Sequence, residues 1–508
     1  MVIDRKAYRD SVLGCWLGKS IGGTLGAPFE WRRAVHDISF YTQDLGGEPL
    51  PNDDLDIQLL WLVALEERGV ELDAHTLAEY WLLYVTPHWC EYGNAKINLR
   101  AGLMPPWSGI VANPYKHSCG AFIRSEIWAC IAPGCPEVAA RYAYEDAILD
   151  HGDGEGTFAE VFCAALESAA FVEKRIPRLF EIALSYIPDD CGVARAVRNV
   201  IASRAEGKSW REARDLLLAD YRGSTAMGYI WCTSEEDQAK GFHEGELGWD
   251  APSNIGIIAL GLLYGEGDFG KSLCTAVNCG EDTDCTGATL GSIFGLLHGA
   301  TAIPQRWIDP IGRGIKTACL NLGELGYFGN QLPATVDALS ERTERLADQA
   351  LARRGNGVRL GEDADPTAGE AIAPLAPEQR DALYRNLTAN VFRFDFFDVA
   401  VDYIDDPYVR DNEPKRIRVR ITNTYKVQAS INLHWHLPGG WSAAPGPDGT
   451  VYVKPLPWEN TVEVTYTLQT ERVTQPTVRA AIELTMPGRA VTMLAPVVLL
   501  NGNLAVQT

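Results

Sequence analysis

Eight glycines recur at four-residue intervals in two distant runs: Gly14, Gly18, Gly22 and Gly26, then Gly287, Gly291, Gly295 and Gly299. That spacing lays each run along one face of a helix. A glycine inside a helix costs about 1 kcal/mol relative to alanine, so the runs require a compensating contact. Close approach of two helix backbones along ridges free of side chains supplies it, through dispersion and flush packing. The ridges therefore demand a tightly packed helical core. They also bear on chemistry: the first runs into Pro28-Phe29-Glu30, and the second begins just after Asp282-Thr283-Asp284. Rigid helices would hold these acids at fixed positions.

From the start to about Ala352, apolar residues keep helical spacing, as in Leu55, Leu59, Leu60, Leu62, Val63 and Leu65. Breaks fall at Pro105-Pro106, Pro133-Gly134, Pro188 and Pro304. Between Arg353 and Gln379 the apolar period disappears into Gly, Ala, Pro and acid, the composition of a linker. After a short helical piece near Leu383 the period becomes two. Ile417, Val419 and Ile421 alternate with arginines, and Ile431, Leu433, Trp435 and Leu437 alternate with polar residues. Similar runs over Val462 to Leu468, Val478 to Met486 and Val491 to Leu500 predict an antiparallel, immunoglobulin-like β-sandwich. The expected organisation is a mainly α chain: a helical domain over 1–352, a linker with a short helix over 353–390, and a smaller sandwich over 391–508.

Composition narrows the function classes. With 508 residues, 46% hydrophobic and 22% charged, the chain has the makeup of packed globular domains. Its net charge of −22 disfavours a broad nucleic-acid surface and makes divalent cations the better partners. All twelve cysteines lie between Cys15 and Cys319 without a C-x-x-C pair, so free thiols are expected. No secretory leader opens the chain and no apolar stretch reaches the ~20 residues of a membrane span. A cytoplasmic protein without membrane attachment is the expectation; oligomeric state is not legible.

Asn52-Asp53-Asp54 immediately precedes a helical pattern, and Glu281-Asp282-Thr283-Asp284 opens another. Such residues serve as caps and complement the helix dipole. Two acid-rich helix starts in apolar surroundings also suggest a cation site, because buried carboxylates without cations are disfavoured. Oxygen donors suit Mg²⁺, Mn²⁺ or Ca²⁺ better than zinc, with Mg²⁺ first.

The segments GCWLGKSIGGTLGAPFE, NDDLDIQLLW, HGDGEGTFAEVFCAAL and GEDTDCTGATLGSIFGLLHG, in this order, resemble the successive motifs of the ADP-ribosylglycohydrolase family, which includes the dinitrogenase reductase-activating glycohydrolases. The resemblance spans roughly residues 5 to 350. It implies an all-α domain with a two-metal centre, and a hydrolase acting on an N- or O-glycosidic bond to a ribosyl or related sugar. Relatives carry Thr-Asp-Asp at Asn52-Asp53-Asp54 and Asp-Thr-Asp-Thr at Asp282-Thr283-Asp284-Cys285. Asp53, Asp54, Asp282 and Asp284 carry over as metal ligands, with Asn52 able to add an amide oxygen. Glu30 takes the place of the family's mobile glutamate, and Glu30 or Asp54 would accept a proton from water. His151 falls in the substrate-side histidine motif.

One loop departs from the family. A glycine-rich stretch usually wraps the ribose and phosphates, whereas Pro114 to Arg124 retains only Gly120, leaving fewer amides to approach an anion. Weaker ADP-ribose binding is expected. Trp89, Tyr92 and Trp107 could instead present apolar faces to a neutral sugar. His243, Glu244 and Glu246 match no strong metal template, and His434 with His436 reads as a polar strand face. No serine-hydrolase elbow or phosphate-binding loop is present. The alternative to a glycosidase is a catalytically silent protein that holds a saccharide or partner on the same fold.

Overall fold

The computed structural model describes residues 1–223, 230–245, 250–320, 331–365, 367–425 and 427–504. The chain divides into two compact units: 1–96 with 112–383, and 97–111 with 384–508.

The first unit is helical. Asp4 accepts the N–H of Ala7 at 2.7 Å and so starts the helix Arg5–Gly26, which carries the first glycine ridge. The second ridge lies on Thr283–His298. The ridges meet antiparallel: a methyl built on Gly18 would lie 2.0 Å from the carbonyl oxygen of Gly291, one on Gly22 1.9 Å from that of Gly287, and one on Gly26 2.1 Å from that of Thr283. No side chain fits between the two backbones, the close approach that the four-residue spacing demanded. Thr283 adds a hydrogen bond from its hydroxyl to the Gly26 carbonyl at 2.8 Å.

The stretch read as a linker contributes to this unit. Arg359–Gly361 (β2) pairs in parallel with Val2–Asp4 (β1), and a short helix follows at Pro377–Leu383. Glu246 lies outside the described residues. All twelve cysteines are unpaired, eleven of them buried. No helix among the described residues is long and apolar enough to cross a membrane.

The second unit is a sandwich of two five-stranded sheets. One has the order β3 (Ala389–Arg393), β4 (Phe397–Asp402), β6 (Lys415–Asn423), β10 (Thr461–Thr470), β8 (Trp441–Ala444). The other runs β5 (Tyr408–Val409), β12 (Thr492–Asn501), β11 (Thr477–Thr485), β7 (Ala429–His436), β9 (Asp448–Val453). Ile417, Val419 and Ile421 face Leu433, Trp435, Ile482 and Leu484 in one core, and every pairing is antiparallel except β5 with β12. Trp107, proposed from sequence as a sugar-stacking residue, belongs here. Only 2% exposed, it packs edge-on to Tyr403 and donates its indole N–H to the Thr388 carbonyl at 3.2 Å.

Candidate functional site

Pro28 cannot donate the next helical hydrogen bond, so the first ridge helix ends in a 3₁₀ turn, Ala27–Phe29, that delivers Glu30. The facing helix starts at the same end of the antiparallel pair and delivers Asp282 and Asp284. A second clamp fixes the register. Arg33 forms a buried bidentate pair with Glu281 at 2.6 and 3.0 Å, and the Glu281 N–H donates to the Arg32 carbonyl at 2.8 Å. Gly280, at φ +78°, has the Ala34 carbonyl oxygen 2.4 Å from where a methyl would sit. Only glycine tolerates both that dihedral and that contact.

Asn52 caps the helix Asp53–Arg68, its Oδ1 accepting the N–H of Asp54 at 2.8 Å. This turns Asp54 inward, where it is 1% exposed. Asp53 stays half-buried and accepts the Tyr92 hydroxyl at 3.1 Å.

Ligand atoms from Asp54, Asp284 and Cys285 lie within 4.8 Å of one another, and so do those from Glu30, Asp282 and Asp284. The two groups share Asp284. Acids from three separate segments thus converge, as the sequence predicted for its two helix starts. Both carboxylate oxygens of Asp54 and the Oδ1 atoms of Asp282 and Asp284 are buried without a hydrogen-bond partner.

Crowding shows in the acidities. Burial, reinforced by Asp284, Asp53 and Asp54, pushes Glu30 up to about 9. Burial and the neighbouring Glu30 raise Asp282 to about 8. Asp54 and Asp284 are displaced well above the carboxylate range, mainly by burial.

Sequence reasoning missed the cation behind the cluster. Lys19 is 1% exposed; its Nζ donates to Glu126 at 2.7 Å and to the Ile123 carbonyl at 2.6 Å, with Asp54 at 3.5 Å. Burial opposes its charge, but Glu126 and Asp54 outweigh that and keep it protonated. Gln58 completes the support, donating to Glu126 at 2.8 Å and to the Asp54 carbonyl at 2.9 Å. The available signal was a single lysine in an otherwise small and apolar run, GCWLGKSIGG.

In front of the acids opens a cavity of about 340 Å³. Its walls include Glu30, Asp282 and Cys285 from the cluster, the adjoining Asp53, Gly120 and the expected aromatics Trp89 and Tyr92. They also include residues not singled out before: Trp31, Glu91, Tyr115, Ser118 and Cys119. Gly120 is there for space, since a methyl would sit 2.0 Å from Glu91 Oε1. His151 is not among the wall residues. It is fully buried, with Nδ1 on Asp150 at 2.9 Å and Nε2 on the Ser118 hydroxyl at 3.1 Å, so it reaches the cavity through Ser118. His434 and His436 lie on the sandwich, paired with Asp448 and Glu483 at 2.7 and 2.8 Å.

Comparison with known proteins gives one strong match. The ADP-ribosylglycohydrolase family profile matches residues 4–368. An ADP-ribosylglycohydrolase-related protein complex is 20% identical, with a TM-score of 0.42, over 67% of this chain and 99% of that one. A FixG-related protein from Vibrio parahaemolyticus is 12% identical, with a TM-score of 0.15, over 18% of this chain and 81% of that one. No curated protein matches. The family match covers most of the helical unit, ridges and acid pairs included, and on that basis the chain belongs to the ADP-ribosylglycohydrolase family.

Proposed function

We propose that the helical unit is a divalent-cation-dependent glycosidase that hydrolyses an N- or O-glycosidic bond to a ribosyl or similar sugar. The observation that carries this reading is the set of buried, unpartnered carboxylate oxygens on Asp54, Asp282 and Asp284. Buried carboxylates left unpaired are costly, and the nearby Lys19 ammonium is held closer to Glu126 than to Asp54. The donor chemistry therefore fits a hard dication such as Mg²⁺, Mn²⁺ or Ca²⁺. Asp53, Asp54, Asp282 and Asp284 would hold it, with Asn52 fixing Asp54 as its cap.

When bound, such a cation supplies Lewis-acid polarisation and lowers the pKa of a water. The protein's own groups do the rest. Glu30 and Asp282 belong both to the carboxylate cluster and to the cavity wall; with Asp282 committed to the cation, Glu30 is left to take a proton from water there, once its raised carboxyl is ionised beside the bound cation. Tyr92 orients Asp53 through its hydroxyl. Trp31, Trp89 and Tyr115 are exposed and offer ring surface for the apolar face of a sugar, whereas Tyr92, expected from sequence to do so, is buried edge-on against Trp81 and reaches the site through its hydroxyl.

The same walls argue for substrate class. Among the described residues they include four carboxyl groups, Glu30, Asp53, Glu91 and Asp282, and neither lysine nor arginine. A pyrophosphate would meet no cationic side chain of the described wall and few loop amides, so a neutral glycoside fits better than ADP-ribose. The test is turnover of ADP-ribosylated peptides, nucleosides and aryl glycosides by chelator-stripped protein with and without added Mg²⁺ or Mn²⁺. Cation-dependent cleavage of neutral glycosides is expected. Cation binding without any turnover would instead favour a silent saccharide-binding protein.

A further inference from the structure

We infer that Cys285 is a metal ligand, and that it makes the position bounded by Asp54, Asp284 and Cys285 selective for thiophilic divalent cations such as Co²⁺, Zn²⁺ or Cd²⁺ over Mg²⁺. The inference rests on the divalent-cation reading above and refines it. The Cys285 sulfur lies within 4.8 Å of carboxylate oxygens from both Asp54 and Asp284, and all three side chains are buried. Asp54 brings two oxygens without a hydrogen-bond partner at 1% exposure, one of them 3.5 Å from the Lys19 ammonium, and Asp284 brings one at 5%. These carboxylates converge where the thiol also reaches.

The second group, Glu30, Asp282 and Asp284, is all oxygen. The two positions share Asp284 yet differ in softness, and donor softness decides between hard and borderline cations. A thiol placed among carboxylates contributes little to Mg²⁺, but as thiolate it binds Zn²⁺, Co²⁺ or Cd²⁺ strongly. On coordination the S–H bond breaks, a sulfur–metal bond forms, and the proton leaves to solvent. The Asp54 carboxylate is backed by the Lys19 ammonium at 3.5 Å and its backbone carbonyl is held by Gln58, supports that do not involve the sulfur and so remain when it is changed.

The test uses the full-length chain, stripped of metal and titrated with Co²⁺. Thiolate-to-cobalt charge transfer gives a near-ultraviolet band that oxygen ligands do not. Wild type should develop this band and Cys285→Ser should lack it, whereas Cys119→Ser, changing another thiol of the same cavity, should retain it. By calorimetry, Cys285→Ser should lose on the order of tenfold or more in Cd²⁺ affinity while holding Mn²⁺ within about threefold. Cys285→Thr serves as a second variant, and thermal melts confirm that each one folds. A wild type that binds Mn²⁺ but gives no band, or a band that survives in Cys285→Ser, overturns the inference and leaves the cation reading standing. Folded wild type that binds none of Mg²⁺, Mn²⁺, Co²⁺ or Cd²⁺ overturns both.

Discussion

Replacing Gly22 by alanine would set a methyl carbon 1.9 Å from the carbonyl oxygen of Gly287 and 2.2 Å from its carbonyl carbon. Both atoms are backbone of a buried helix, so neither yields by a rotamer change. Relieving the contact from 1.9 Å to the 3.4 Å at which ordinary contact begins requires the ridges to part by about 1.5 Å. Overpacking of this kind costs about 1–3 kcal/mol, occasionally more, and alanine returns about 1 kcal/mol of helix propensity. Because the clash is backbone on backbone, the upper end applies, and a net loss of about 2 kcal/mol is expected. The same parting moves Glu30 relative to Asp282 and Asp284, beyond the about 0.5 Å that a site tolerates. Mn²⁺ affinity should therefore fall on the order of tenfold or more. Urea denaturation and calorimetry measure the two effects. Gly314→Ala is the control, since nothing lies within 4 Å of a methyl there; it should stay within about 0.5 kcal/mol of wild type. A Gly22→Ala protein as stable as that control, with wild-type Mn²⁺ affinity, would refute the ridge argument.

Three further outcomes follow from the same geometry. Asp54→Asn and Asp282→Asn should each weaken cation binding strongly while leaving the metal-free fold as stable as wild type or more so, because each removes a carboxyl whose ionisation in the buried site is costly; calorimetry alongside denaturation separates the effects. Metal-free stability should fall as pH rises from about 5 to about 9: Glu30 and Asp282 have folded values of about 9 and 8 against ordinary values of 4.5 and 3.8. Their stabilising contribution is complete below the ordinary values and is lost as pH climbs through the folded ones. Saturating cation should flatten that dependence, read by denaturation in chelator against denaturation in Mn²⁺. Tyr92→Phe removes the 3.1 Å hydrogen bond to Asp53 and should cost about 1 kcal/mol of stability with a modest loss of cation affinity, and unchanged melts and titrations would show that the contact does nothing.

What was legible in the sequence was whatever repeats or caps locally. The glycine spacing announces a backbone-to-backbone helix pair, Asn52 reads as a cap, and period two marks β6 and β7. The acid pairs were visible because they sit at helix starts beside the ridges. Contacts set by tertiary packing were not visible. Lys19 meets Glu126 across more than a hundred residues, and no local pattern in either segment announces the other. Trp107, read from sequence as a loop aromatic, opens a short helix, Trp107–Ile110, in a stretch whose composition suits a sugar cleft as well as a sandwich core, and only the fold assigns it to the latter. The Arg359–Gly361 strand hides in a stretch with no apolar period, because its pairing with Val2–Asp4 is short and backbone-made.

The most direct test of the central claim is a calorimetric titration of chelator-stripped, full-length protein with Mn²⁺, followed by the same titration of Asp282→Asn and by turnover of an aryl riboside by the loaded wild type. Saturable binding by wild type, strong weakening in Asp282→Asn, and cleavage abolished by chelator and restored by cation are the predicted results. Folded wild type that takes up no divalent cation, or cleavage that proceeds equally well in chelator, would contradict the claim.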